Sequence, residues 1–523
     1  MKNFIAIIIS ILLFNVSFSQ IDTVYNKILY PFVGTTGISS LITDDIYYYA
    51  LVGQIETPDF IQNYGFLKIN KTGTIVDTVF HSVKSTIQGV DMNYGHGFTM
   101  TSDSSFLYCG GTQEKQGRVL GFLVKTNYDF DTLWSKVFYH PDTAIAALAN
   151  PSDVVIKLSD IKETQDGGYI ITGNYNKDCI NLNMHGFLIK TDTSGNILWF
   201  KLMPSSIISS NHLYDIEIDP LDSGFYFPSN RSNQAPQNIS LFKTDKFGNV
   251  KWYTKVNLVT APEYPQYPVD AEIISDSTVI VASAITWKDI PTNHWQNSVM
   301  VTSVNTNTHL INWEERFSFN NERVGKTLHQ SIGANLTPNG NIAISTTMIV
   351  YNMGYRGSLL LINQNGDSLW QRYYAHTYSD SNDVDLQLND LVVCDDGGFL
   401  LGGIYHKDLE MYEHSWLVKT DSLGFAPAAF TLAVEEKHLV ITQQPLLYPN
   451  PAQSNINLRF EENPKSPLTF LIYNSSGVLV KKETQASYMM EYRINIEDLE
   501  KGVYFIRIVS DNQLMFNSKF IKL

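Results

Sequence analysis

A three-part pattern recurs along this chain and leaves few folds open to it. Its clearest copy begins at Asp166 as DGGYIITGNYN and resumes at Gly186 as GFLIKTDTSGNILWFK. An Asp/Ser/Gly turn leads into a hydrophobic strand. A second strand has the form Gly-aromatic-Leu-hydrophobic-Lys-Thr, and a polar turn then precedes a strand that opens near Leu-Trp. Copies also start at DDIYYYALVG, SDSSFLYCGGT, DSGFYFPSN, SDSTVIVASA, NGNIAISTT and DDGGFLLGG. Trp134, Trp199, Trp252, Trp313 and Trp370 mark the period at spacings of about 53 to 65 residues. The first copy reads with Val in place of Trp, and the fifth is degenerate. One more hydrophobic stretch precedes each Asp/Gly turn, as in VVIKLSDIKET and HLYDIEID. That makes four strands per unit, with no helical 3.6 period.

The two ends of the repeat array complete each other. After KTDSLGF the seventh copy has no Leu-Trp strand, whereas DTVYNKILYP (Asp22 to Pro31) aligns with DTLWSKVFYH (Asp131 to His140). A linear solenoid has no reason to divide a repeat between its ends. A ring does, because closure removes unpaired strand edges. The expectation is an all-β chain: a seven-bladed β-propeller over 20–426, with the N-terminal strand closing the last blade. A linker over 427–445 and a small C-terminal antiparallel β-sandwich over 446–523 follow. From Ile21 to Ala426 the chain resembles the divergent propellers with DGG(Y/F) and G-N-x-x-W turns of secreted bacterial proteins. The shared motifs are structural and imply no activity.

The turn residues have a structural explanation. Asp hydrogen-bonds its own turn, Gly takes positive φ, and Trp packs between neighbouring blades. DTSGNILW (Asp192 to Trp199) reproduces neither the Ser-then-Asp order of a sialidase Asp box nor the residue set of a quinoprotein. Alternating oxygens in DTSGN and in DSNDVD (Asp380 to Asp385) leave calcium as an alternative, but neither has the twelve-residue loop and final Glu. No metal or cofactor is expected. Neither Gly-x-Ser-x-Gly, His-Glu-x-x-His, paired Cys-x-x-Cys nor a phosphate-binding Gly loop occurs.

Composition agrees with many strands: of 523 residues, 29 are Tyr and 28 Phe, types that suit half-buried pleated surfaces. The net charge of −15 opposes binding to phosphate backbones, so a nucleic-acid partner is excluded. Three cysteines, Cys109, Cys179 and Cys394, cannot form a full disulfide framework. At the N-terminus, Lys2, the apolar run Phe4 to Phe14, and Ser17 and Ser19 before Gln20 read as a secretory signal peptide over 1–19. No later run of 18 apolar residues appears, so no transmembrane segment is expected in the mature protein.

In each unit the 1–2 and 3–4 turns are short, and the 2–3 and 4–1 connections, which open on the other face, read as long. Long connections on a rigid scaffold tend to carry function. Three are aromatic: TAPEYPQYPVD with Tyr264 and Tyr267, ITWKDIPTNHWQN with Trp287, His294 and Trp295, and IYHKDLEMYEHSW with Tyr405, His406 and His414. Such residues suit stacking on sugar rings or anchoring a surface protein. No acidic pair can be singled out, because a propeller glycosidase gathers its carboxylates from different blades. Catalytic residues therefore stay unassigned.

The pattern breaks after Ala426. LLYPNPAQSNINLRF, LTFLIYNSSGVLVKK, YRINIEDLEKGVYFIRIVSDNQ and a terminal KFIKL follow in order. The set carries Tyr448, Pro449, Asn450 and Pro451, then Asn474 and Gly477, then Leu499, Gly502 and Tyr504, and finally Lys519 and Lys522. It resembles the type A C-terminal sorting domain of type IX secretion. The resemblance implies passage through the periplasm and across the outer membrane, with the type IX machinery as partner. The product is then secreted or held at the outer-membrane cell surface. The reading that results is a binding or adhesion scaffold for glycan or protein. The alternative is an extracellular polysaccharide or peptide hydrolase working at the long-connection face.

Overall fold

The computed structural model describes residues 24–426 and 445–523. It omits 33, 45, 57–60, 82–86, 93–96, 115–118, 140–154, 177–183, 204–210, 232–238, 257–263, 290–293, 319–331, 351–353, 375–383 and 408–411, and in the tail 461–462, 465–466, 475–478, 486–488 and 511–512. Residues 1–19 and 427–444, read above as signal peptide and linker, lie outside the described residues. The chain divides into two compact units, Met1–Thr431 and Leu432–Leu523.

All regular structure among the described residues is strand. No helix there is long and apolar enough to cross a membrane. In the first unit the strands group by antiparallel pairing into four-strand sets in chain order. Val155–Glu163, Tyr169–Asn176, Met184–Thr191 and Ile197–Leu202 form one such set. Thr35–Thr43 through His81 form the first set, and Tyr264–Ser275 through Ser318 the fifth. In the last, Val384–Val393, Phe399–Lys407 and His414–Lys419 take their fourth strand from the opposite end of the chain, Tyr25–Leu29. Asn389 Nδ2 donates to Ile38 O at 2.7 Å, and Thr36 N donates to Glu413 O at 2.8 Å, so the last set abuts the first. The result is an all-β propeller.

The repeat motif now has a physical account. Asp192 accepts the amides of Ser194 and Asn196 and the Asn196 side-chain amide, so its oxygens are taken up by its own turn. Gly195 has φ +75°, and a Cβ there would lie 2.8 Å from the ring of Trp134 in the preceding blade. Trp199 stands the same way over Gly248. Tyr25 takes the tryptophan position in the closing strand: it pairs with Lys419 as Trp199 pairs with Lys190, and its ring covers Gly73.

Where the sequence departs from the motif, the structure compensates. In the fifth unit His309 adopts φ 60° and stacks on Trp252 with ring centroids 4.5 Å apart. In the second, Phe130 adopts φ 64° and turns its ring into the core, stacked on Phe66 at 4.9 Å. No Trp precedes it. The register also corrects the alignment of the first unit: Asp77, opposite Lys68, holds the tryptophan position, and Val76 the position before it.

The Lys of the Lys-Thr strand pairs across the hairpin with the turn Asp. Lys125–Asp103, Lys190–Asp166, Lys243–Asp222 and Lys419–Asp396 lie at 2.7–2.9 Å. The fifth and sixth units carry Ser303 and Leu361 at that position. Burial raises the Asp166 carboxyl, but Thr164, Lys190 and the Gly168 amide outweigh it and hold it down at about 2.

The second unit is an antiparallel sandwich. Leu446–Tyr448, Asn455–Arg459 and Glu491–Asn495 form one sheet. Leu479–Gln485, Leu468–Asn474, Gly502–Ser510 and Gln513–Lys522 form the other. Ile456, Leu458, Phe470, Tyr492, Ile494, Ile506 and Phe520 fill the space between them.

Candidate functional site

Every blade begins with its innermost strand, and the same position recurs there. The third, fourth, fifth and seventh blades place Asp160, Asp215, Asp270 and Asp390 at it, each buried. Each carboxylate reaches into the next blade. Asp160 accepts Ile216 N at 3.1 Å, Asp215 accepts Ala271 N at 3.0 Å, Asp270 accepts Ala334 N at 2.5 Å, and Asp390 accepts Leu41 N at 2.6 Å. Asp160 also takes Gly97 N of the preceding blade at 3.0 Å. A strand bulge in the third and seventh blades, between Leu158 and Asp160 and between Leu388 and Asp390, precedes the Asp. This ring fastens blade to blade through backbone amides.

Two residues further along the same strands stand Lys162, Glu217 and Glu272. Lys162 Nζ lies 2.8 Å from Glu217 Oε1, with the side chains 36% and 22% exposed. Burial lowers the proton affinity of Lys162, but Glu217, Asp160 and Asp215 outweigh it and keep the ammonium charged. Burial, reinforced by Glu217 and Asp270, pushes Glu272 up to about 8 against the pull of Lys162 and the Leu336 amide. Burial and the charges of Asp270 and Glu217 likewise lift Asp215 well above the usual range. Among the described residues no group of three His, Cys, Asp or Glu side chains is disposed to hold a metal ion.

The aromatic candidates sit differently from the loops expected of them. Tyr264 and Tyr267 belong to the strand Tyr264–Ser275, Trp287 to Thr278–Asp289, and His294 and Trp295 to His294–Asn305. The side chains of these five lie outside the described residues. Alternating β-branched and aromatic residues carry the strands on, so residues 290–293 are all that joins the last two. Pro265 and Pro268 are tolerated because the strand lies at the sheet's inner edge and its register shifts between Pro265 and Val269. The register sets Trp287 opposite Gln296, Lys288 opposite Trp295, and Asp289 opposite His294. This hairpin pairs 12 residues on each side.

Tyr405 and His406 also lie in strand, within Phe399–Lys407, and His414 opens the next strand. His414 packs between Tyr405 (6.4 Å, near parallel) and Tyr30 (4.6 Å). Tyr30 was not a sequence candidate. It is 67% exposed and lies one residue beyond the closing strand.

In the tail, Tyr448 OH donates to Glu491 Oε1 at 2.6 Å, and both the Tyr448–Pro449 and Asn450–Pro451 peptides are cis. Asn474 pairs with Tyr504, whose ring stacks on Phe520 at 5.6 Å and whose hydroxyl donates to Glu500 O. Leu499 packs on the sandwich core, and Gly502 pairs with Lys522. Gly477 lies outside the described residues, and Lys519 is exposed.

No curated protein matches the chain in sequence. Among solved structures, it is similar to Penicillium chrysogenum alpha-L-arabinanase complexed with arabinobiose. That match has 7% identity, covers 65% of this chain and 95% of that one, and has a TM-score of 0.41. The β-propeller domain of the Trilobed protease from Pyrococcus furiosus matches at 6% identity over 78% and 100%, with a TM-score of 0.36. Cobalt-substituted Synechocystis ACO matches at 12% identity over 77% and 90%, with a TM-score of 0.38. The family comparison is local: residues 446–522 match the secretion system C-terminal sorting domain, whose presence implies export by type IX secretion to the cell surface or extracellular space.

Proposed function

We propose that this protein is a non-catalytic binding scaffold for glycan or protein, displayed outside the cell by the type IX route. The ligand sits on the face where the 2–3 and 4–1 connections emerge. The observation that carries this reading is the fifth-blade hairpin, which extends through 12 paired residues and brings Tyr264, Trp287, His294 and Trp295 to that end. The exposed Tyr30, backed by His414 and Tyr405, adds an aromatic group on the seventh blade. The ring carboxylates accept backbone amides, which fits a structural duty for them.

One observation favours a hydrolase, but at the 1–2 turn ends of the first strands, opposite the long-connection face. Glu272 is held near 8 beside a Lys162–Glu217 pair, and a carboxyl that keeps its proton at neutral pH is what general-acid catalysis requires. A glycan and peptide array probed with residues 20–431, read for both binding and product release, separates the two. Saturable binding without turnover, weakened by Tyr30→Ala, supports the scaffold. Turnover abolished by Glu272→Gln replaces it with the hydrolase.

A further inference from the structure

The terminal strand Gln513–Lys522 is an outer strand of its sheet, paired on one side with Gly502–Ser510. An outer strand leaves a row of backbone donors and acceptors open to another strand. Over the last five residues of this chain that row is taken. Asn450 Nδ2 donates to Lys519 O at 3.0 Å, and Ile521 N donates to Asn450 Oδ1 at 2.9 Å. Ala452 N donates to Ile521 O at 2.8 Å, and Leu523 N donates to Ala452 O at 2.9 Å. A single carboxamide supplies both a donor and an acceptor, as a peptide group of a neighbouring strand would. Ala452 then continues the pairing as a parallel bridge to Lys522.

Two consequences follow. Strand addition is blocked at this stretch, so a partner meets the side chains. Alternation turns Phe520 into the core and presents Lys519, Ile521 and Leu523 together. Ile521 is 39% exposed, Leu523 50%, and Val503, directly opposite Ile521, 38%. An apolar strip headed by a lysine suits an apolar groove that carries a carboxylate.

We infer that Asn450 is a positioning residue of the export signal. Its side chain holds the terminal strand so that Lys519, Ile521 and Leu523 form the surface on which the type IX machinery docks. The inference rests on the type IX reading of the tail. Asn450 is exposed and outside the sandwich core, so its removal leaves Ile456, Phe470, Tyr492 and Ile506 packed.

The test uses the full chain in a host with the type IX system. The variants are Asn450→Ala, Asn450→Asp and deletion of 446–523. Exported fraction is measured, together with amide hydrogen exchange at Ile521 and at core positions Ile472 and Ile506. Losing both side-chain hydrogen bonds in Asn450→Ala should speed Ile521 exchange and cut export, each by on the order of tenfold. Core exchange should be unchanged. Asn450→Asp keeps the acceptor for Ile521 N but sets a second oxygen against Lys519 O, so it should fall between. Normal export of Asn450→Ala with fast Ile521 exchange overturns the inference. So does loss of core protection, which would make Asn450 a packing residue. Normal export of the deletion would instead refute the type IX reading itself.

Discussion

Asp396→Ala tests whether the Asp–Lys pairs hold the propeller together. Lys419 Nζ lies 2.7 Å from Asp396 Oδ2 and 3.0 Å from Oδ1, and the side chains are 0% and 6% exposed. Without the carboxylate, the ammonium keeps only Thr420 O among these partners, out of reach of water. Removing one member of a buried pair costs about 3–5 kcal/mol, a factor of roughly 10² to 10⁴ in the folded population. The equivalent Asp166 is 63% exposed, so water can reach Lys190 once that carboxylate is gone, and Asp166→Ala should cost far less. The double variant Asp396→Ala/Lys419→Met removes both charges and should recover most of the loss. Equilibrium denaturation of residues 20–431, followed by tryptophan fluorescence, measures all three. Equal midpoints for Asp396→Ala and Asp166→Ala would refute the reasoning, as would a double variant no better than Asp396→Ala.

Three further outcomes are expected. Gly248→Ala should lower the denaturation midpoint through about 1–2 kcal/mol of left-handed backbone strain plus about 1–3 kcal/mol of overpacking against Trp199. Adding Trp199→Ala should remove the second part, and a strictly additive pair would exclude the contact. Glu272 titrates near 8 when folded and near 4.5 when unfolded, so between those values unfolding releases a proton. Its contribution is therefore full below pH 4.5 and lost as pH rises through 8. Glu272→Gln should flatten that slope in a pH series of midpoints, and an unchanged slope would rule the group out. Deleting Tyr25–Leu29 exposes the edge of His414–Lys419 and should sharply lower the melting temperature, which calorimetry would show.

Much of the fold was legible because its devices are local. A Gly-x-x-x-Trp spacing states both a turn and what covers the neighbouring turn, and the Asp22–Pro31 alignment pointed to the missing strand. Phe130 and His309 were harder, since only coordinates show an ordinary residue at positive φ with its ring redirected. The ring of carboxylates was missed although its signal was present: Asp160, Asp215, Asp270 and Asp390 recur at one position of the first strand. Their partners are amides in the next blade, 56 to 64 residues away for the first three and 349 for Asp390, which spacing within a repeat does not reveal. The aromatic candidates read as loops in sequence because prolines and polar residues interrupt the strand pattern there. Pairing with a long neighbour carried those stretches on as strand.

The closing strand also sets an order of events. Asn26 and Trp416, joined through Trp416 Nε1 and Asn26 Oδ1, stand 390 positions apart. Each earlier blade is built from hairpins of neighbouring sequence, so those sheets form by local search, while the last contact requires the two ends of the array to meet. Contacts of such separation are slow to form. Closure by Tyr25–Leu29 is therefore the pairing with the highest chain-entropy cost in the propeller, and the edge of His414–Lys419 is where the first strand of a second chain would have to add in place of its own.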